Sequence, residues 1–143
     1  MLHVAAEHMS TYHAAAVMAS NSLMAVIDAS LVLMELAGIE RALARGALES
    51  LSRTSLDNAF RHGPAAALTG PVARGDATTV AAHLDALDHA PPSVGALYRS
   101  AADHLLELAR QRGLSAPRLA TVESVLHARK AGEVHGSPSG SRS

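Results

Sequence analysis

From Ala5 to Ala37 the chain contains neither Gly nor Pro, and it then meets Gly38. Glycine takes the left-handed conformation that closes helices at little cost, so the segment predicts one long helix ending there. Its polar residues Glu7, Asn21, Asp28 and Glu35 recur at multiples of seven. At 100° per residue this spacing drifts only about 20° per step, which gathers them into one narrow stripe. Nearly everything else on the helix is apolar, so several of its sides need covering. Such a helix is roughly 50 Å long, whereas a compact domain of this size is about 35–40 Å across. The overhanging apolar face therefore predicts a second copy of the chain, or another chain, lying over it. The alternative is a kink near Ser20 and Asn21 that folds the segment into two shorter helices.

Apolar residues Ile39, Leu43, Ala47, Leu48, Leu51, Leu56 and Phe60 then recur at helical spacings up to a second stop at Gly63. Gly46 and the polar run from Ser50 to Ser55 weaken the middle, and one helix broken into two is expected. Beyond Pro64 and a short alanine-rich turn, LTGPVARGD (Leu68 to Asp76) carries three Gly or Pro positions and predicts an ordered loop. Asp76 is placed to cap a helix from Ala77 to about His89, ended by Ala90-Pro91-Pro92. Ser93 opens a further helix that Gly113 stops, and Ser115 with Pro117 opens a last one from Ala116 to Ala131. The reading is an all-α fold of five to seven helices around a long N-terminal helix, without strands or internal repeats. The pattern predicts a single helical domain over residues 1–131 and a disordered tail over residues 132–143.

Composition sharpens this picture. Alanine supplies 30 of the 143 positions, while the aromatic residues are only Tyr12, Phe60 and Tyr98. That balance favours closely packed helices and deprives a sheet of its usual cross-strand pairs. With 12 Lys+Arg against 13 Asp+Glu, the chain has no basic field to hold a nucleic acid backbone. The absence of cysteine removes disulfides, thiolate metal sites and a cysteine nucleophile, and is compatible with the cytoplasm. The start, MLHVAAEHMSTYH, lacks a basic n-region and carries Glu7 where an apolar core would begin, so a signal peptide is not expected. The stretch Ala14 to Met34 is long enough to span a bilayer, but Asp28 near its middle costs about 2.5–3.5 kcal/mol on insertion scales. A covered helix, with no membrane partner, is the expectation.

Candidate chemistry is concentrated in two segments. None of the nine histidines has the spacing of a zinc hydrolase helix, no G-x-S-x-G elbow is present, and the glycines of TGPVARGD do not read as a dinucleotide fingerprint. No metal site is expected. In YHAAAVMASN, Tyr12 to Asn21, a phenol, an imidazole and a carboxamide lie within three helical turns. An imidazole is the side chain best suited to proton transfer near neutral pH, which makes His13 the candidate acid or base, with Tyr12 as a hydrogen-bond donor. The alternative is that these groups satisfy one another and backbone carbonyls in a helix interface. In ALTGPVARGDATTV, Ala67 to Val80, Arg74 offers a planar fork for a carboxylate or phosphate just before a helix N-terminus. Its alternative is an Arg74–Asp76 pair bracing a tight loop.

Tyr12-His13-Ala14-Ala15, Asn21, Asn58 ahead of Gly63-Pro64, Ala67-Leu68-Thr69-Gly70-Pro71, Arg74-Gly75-Asp76, Thr79-Val80, His83-Leu84 and Tyr98 together carry a resemblance. Over roughly residues 7–110 the chain resembles the C-terminal helical domain of uncharacterised Rossmann-like oxidoreductases, the domain of unknown function numbered 2520. That domain is similar to the 6-phosphogluconate dehydrogenase C-terminal-like folds. The resemblance implies dimerisation through long helices and a wall facing substrate and nicotinamide across a cleft from an NAD(P)-binding Rossmann domain. On the matching positions it implies His13 and Tyr12 as catalytic candidates and Asn21, Thr69, Arg74 and Asp76 as substrate-binding candidates.

The sequence departs from the family pattern in lacking the Rossmann half. The leading expectation is thus a stand-alone or truncated dimerisation and substrate-binding domain of an NAD(P)-dependent oxidoreductase, not competent for hydride transfer alone and binding no cofactor by itself. Its expected partners are a second copy, a separate Rossmann domain and a small-molecule substrate. Two other readings stand beside it: a cofactor-independent binder or catalyst with a pocket at the dimer interface, and a purely structural oligomerisation module.

Overall fold

The computed structural model describes residues 3–128, and every regular element among them is a helix. A 3₁₀ turn (Ala6–His8) runs into α1 (Met9–Leu36), followed by α2 (Arg41–His62), α3 (Pro64–Ala67), α4 (Gly70–Arg74), α5 (Ala77–Leu87), α6 (Pro92–Gln111) and α7 (Ala116–Ala128). The chain divides into two compact units that part between Ser52 and Arg53, within α2.

In the first unit α1 passes through Ser20 and Asn21 without a break. Ser20 Oγ lies 2.7 Å from the Ala16 carbonyl and 2.9 Å from Asn21 Oδ1, with one proton to donate to either, so these polar groups are accommodated on the helix surface. The helix ends where glycine demands it. Gly38 has φ +81°, its amide donates to the Glu35 carbonyl, and the Ile39 amide donates to the Met34 carbonyl. This six-to-one and five-to-two pair is the Schellman closure. Two members of the polar stripe are then gathered by the first residue of α2. Arg41 Nη2 lies 3.1 Å from Asp28 and Nη1 lies 2.7 Å from Glu35. Leu31 is the one buried residue of α1, whereas Met18 is 71% and Met24 59% exposed.

The second helix corrects one expectation, because α2 runs unbroken from Arg41 to His62. A glycine inside a helix costs only about 1 kcal/mol, and the serines from Ser50 to Ser55 remain compatible with a ladder that no proline interrupts. The helical spacing of its apolar residues holds, yet Leu43, Leu51 and Leu56 are exposed and Phe60 is 88% exposed.

In the second unit the expected loop at Leu68 to Asp76 is replaced by a five-residue helix, α4. Proline disrupts a helix interior but is suited to the first turn, where Pro71 sits, and Gly75 at φ +67° supplies the left-handed cap. Glycine and proline here delimit a helix rather than prevent one. Asp76 caps α5 as expected, although that helix ends at Leu87. Helix α6 begins at Pro92 with Pro91 as its cap, one residue before the expected Ser93, and closes at Gly113 by the same Schellman pattern. Helix α7 starts at Ala116, and Ala128 is its last described residue. Its expected extension to Ala131 and the tail at residues 132–143 lie outside the described residues.

Helices α4, α5, α6 and α7 of this unit pack on one another. Val80, Leu84 and Leu87 of α5, Ala102, Leu106 and Ala109 of α6, Leu119, Val122 and Leu126 of α7 and Val72 of α4 are buried on these packed helices. Their spacings of three, four and seven residues put each triplet on one helical face. Each large side chain so buried contributes about 1.5–3 kcal/mol.

Candidate functional site

The sequence candidates fall into two sets, one in each unit. Tyr12, His13 and Asn21 lie along α1, all exposed. Tyr12 and His13 occupy successive helical positions, about 100° apart, and therefore diverge rather than face each other. Asn21 Oδ1 lies within hydrogen-bond distance of Ser20 Oγ. Thr69, Arg74 and Asp76 belong to the second unit, where the folding of α4 fixes their placement.

Thr69 is the N-cap residue of α4, in extended conformation and without a side-chain capping bond. Arg74 is the last residue of that helix. Arginines from beyond the α4 sequence hold its backbone at both ends: Arg112 Nη1 donates to the Leu68 carbonyl, and Arg118 Nη1 donates to the Arg74 carbonyl at 3.2 Å. Gly75 is required twice over. Its φ is +67°, and a Cβ built there would lie 2.7 Å from Arg118 Cβ.

Asp76 has its carboxylate engaged in capping. Thr79 donates to it through the backbone amide at 3.0 Å and through Oγ1 at 2.7 Å, while Arg74 Nη2 stands off at 3.8 Å. The Thr79 hydroxyl and then its amide hold the carboxyl below the usual carboxylate range, with Arg74 and His83 adding smaller effects in the same direction and partial burial opposing them. The Asp76 carboxylate thus serves as the anion at the start of α5, and the Arg74 guanidinium remains largely exposed.

One pair was not singled out from the sequence as a site. His83 on α5 and Tyr98 on α6 meet with Nδ1 2.9 Å from the phenolic oxygen, their rings edge to face at 86° and 6.0 Å between centroids. Burial pushes the Tyr98 phenol above its ordinary value. With the proton on Nε2 the imidazole accepts from the Tyr98 hydroxyl; with the proton on Nδ1 it donates to it. Arg74, Asp76, Thr79, His83 and Tyr98 therefore form a polar series carried by α4, α5 and α6. It combines a cationic fork, a fixed carboxylate and an imidazole–phenol pair, a set able to bind an anion and exchange a proton with it.

Among the described residues no group of three or more His, Asp or Glu is arranged to hold a metal ion. None of the described residues is in a strand, and Gly70 and Gly75 delimit α4 at φ +88° and +67°.

The molecule is thus an all-helical protein with a long apolar leading helix and a polar series on a compact helical unit. The model of a domain of unknown function, DUF2520, matches residues 1–105, and the chain belongs to that family. No curated protein and no solved structure matched the chain.

Proposed function

We propose that this chain is the dimerisation and substrate-facing helical part of a cytoplasmic NAD(P)-dependent oxidoreductase of the Rossmann-like class, with a 6-phosphogluconate dehydrogenase C-terminal-like fold. In this reading hydride transfer needs a nucleotide-binding domain and does not occur on these helices alone. The observation that carries the reading is α1. It is 28 residues long, apolar on most of its circumference, and has Leu31 as its one buried residue. An apolar surface of this extent is seldom left open to water, and a second copy of the same helix covers it with like against like. Helix Ala6–Leu36 is also long and apolar enough to cross a membrane by length and composition. Asp28 and Glu35, both tied to Arg41, argue for the protein partner, because an ion-pair cluster is costly in hydrocarbon.

On this view the catalytic candidates are Tyr12 and His13 in the first unit, and the substrate-binding candidates are Asn21 in the first unit and Thr69, Arg74 and Asp76 in the second. Light scattering coupled to gel filtration tests the assembly: the expected result is a detergent-free dimer, and a monomer overturns the reading. Calorimetric titration with NADPH tests the division of labour, since stoichiometric binding to the chain alone would contradict it.

A second reading, a cofactor-independent binder or catalyst, is favoured by the polar series from Arg74 to Tyr98, which is assembled within one unit. Retention of metabolite binding in the absence of any nucleotide, lost on Arg74→Ala, would select it.

A further inference from the structure

We propose that Arg118, assisted by Arg112, is a positioning residue of the candidate site. From either side of the turn between α6 and α7 these two arginines clamp α4, and the clamp fixes where Arg74 and Asp76 leave the backbone. Neither was among the candidates read from the sequence, and neither touches a substrate in this proposal. Its consequence for binding rests on the reading above of Arg74 as a substrate contact.

Helix α4 needs outside support. Its five residues make little more than one turn, too few to hold a helix together in water, and Val72 is its one buried residue. Its C-terminal closure is a Schellman pair, in which the Gly75 amide donates to the Val72 carbonyl at 3.1 Å and the Asp76 amide to the Pro71 carbonyl at 2.9 Å. That pair serves Pro71 and Val72. The Arg74 carbonyl, the last of the helix, accepts instead from Arg118 Nη1 at 3.2 Å. Before the helix begins, the Leu68 carbonyl at the end of α3 accepts from Arg112 Nη1. A charged donor makes the stronger hydrogen bond, and terminal helix carbonyls are the groups most in need of one.

The backbone is shaped to admit Arg118. A Cβ placed on Gly75 would lie 2.7 Å from Arg118 Cβ, 3.1 Å from Cδ and 3.3 Å from Cγ, so the aliphatic stem lies along the glycine. The stem packs on the junction of α4 and α5 while the head holds the carbonyl one residue earlier, and a left-handed glycine leaves room for both.

Arg74 and Asp76 flank that glycine. At 3.8 Å the Asp76 carboxylate is too far to hold the Arg74 guanidinium by a hydrogen bond, so the placement of Arg74 depends on the α4 backbone. A contact already placed in the free protein loses less conformational freedom on binding, and loosening it weakens affinity.

The test compares full-length wild type with Arg118→Met, which keeps the stem but removes the donor, and with Arg118→Lys, which keeps both. Hydrogen exchange read from nitrogen-15 spectra follows the Gly75 and Asp76 amides, which report the closure. Arg118→Met should exchange at least about 5-fold faster at these two amides, leave buried Leu84 and Val122 little changed, and be rescued by lysine. The same proteins are then titrated with inorganic phosphate in about 0.3 M salt, which screens the charge of residue 118 itself. Saturable shifts of the Arg74 Nε–H signal are expected in wild type, with affinity at least about 3-fold weaker in Arg118→Met. The clamp is overturned if Gly75 and Asp76 exchange in Arg118→Met as in wild type, if Leu84 and Val122 accelerate equally, or if lysine gives no rescue. The positioning role is overturned if phosphate binds Arg118→Met as well as wild type. Expected exchange results without phosphate shifts in wild type would overturn the assignment of Arg74 to substrate instead, and with it the consequence for binding, while upholding the clamp.

Discussion

His83 Nδ1 and the Tyr98 hydroxyl lie 2.9 Å apart, joining α5 to α6 fifteen residues later in the chain. The phenol is partly withdrawn from water, and that burial disfavours its ionised form. Its folded value therefore exceeds the ordinary value of about 10. As pH rises through that range the unfolded chain loses its proton first, so the stabilisation from Tyr98 is complete below about pH 10 and declines above it.

Absorbance titration checks this directly. The chain has two tyrosines, so Tyr12→Phe leaves Tyr98 as the sole phenol. Its midpoint is expected above about 10. A midpoint at or below that value would show Tyr98 to be solvated and the pair with His83 open.

Asp76 makes the opposite prediction. Its carboxyl is held below the usual range by Thr79, so the unfolded state binds the proton more readily than the folded state. The cap is fully effective above the ordinary carboxylate range and is lost as pH falls through the folded value. Carbon-13 titration of the side-chain carboxyl should show this lowered midpoint, and Thr79→Val should raise it. Near pH 7, Asp76→Ala should lower Tm by about 4 °C while Asp76→Asn, which keeps an acceptor, should change it by about 1–2 °C. Equal losses in the two variants would mean that charge, not capping, dominates.

These two sites also show what the sequence could and could not reveal. Asp76 was legible because a cap acts over three residues, and Gly38, Gly63 and Gly113 were legible as stops because a positive φ is a local demand. Helix α4 was not, since Gly70, Pro71 and Gly75 read as breakers unless buried Val72 is known to draw that segment onto the core. The His83–Tyr98 pair, and the reach of Arg112 and Arg118 across 44 residues to the α4 backbone, depend on how helices pack. No spacing along the chain encodes them. The exposed face of α2 was hidden for the complementary reason: periodicity identifies a helix but not what covers it.

Two glycine substitutions should move stability in opposite directions. Gly46 lies inside α2 with open space where a Cβ would stand, so Gly46→Ala should stabilise by about 0.5–1 kcal/mol. Gly75 is left-handed and closely approached by Arg118 Cβ, an atom fixed to the α7 backbone. Gly75→Ala should cost at least about 1–2 kcal/mol from conformation alone, with the close contact adding to it. Urea denaturation of both variants tests the pair. A neutral Gly75→Ala would show that α4 and the start of α7 are not held together as described.

The exposed methionines of α1 give the sharpest test of its covering. Met18 and Met24 each lie about 60° from Asn21 on opposite flanks of the polar stripe, and both are more than half exposed. A partner helix that covers the apolar surface must meet at least one of these flanks. Met18→Glu/Met24→Glu places a charge on each, and desolvating even one unpaired carboxylate in an apolar interface is strongly unfavourable. The double variant should keep its helical circular dichroism yet associate at least about 100-fold more weakly than wild type. Light scattering over a dilution series measures this. Unchanged association would place the interface elsewhere, and a wild-type chain that stays dispersed only in detergent would assign α1 to a bilayer instead.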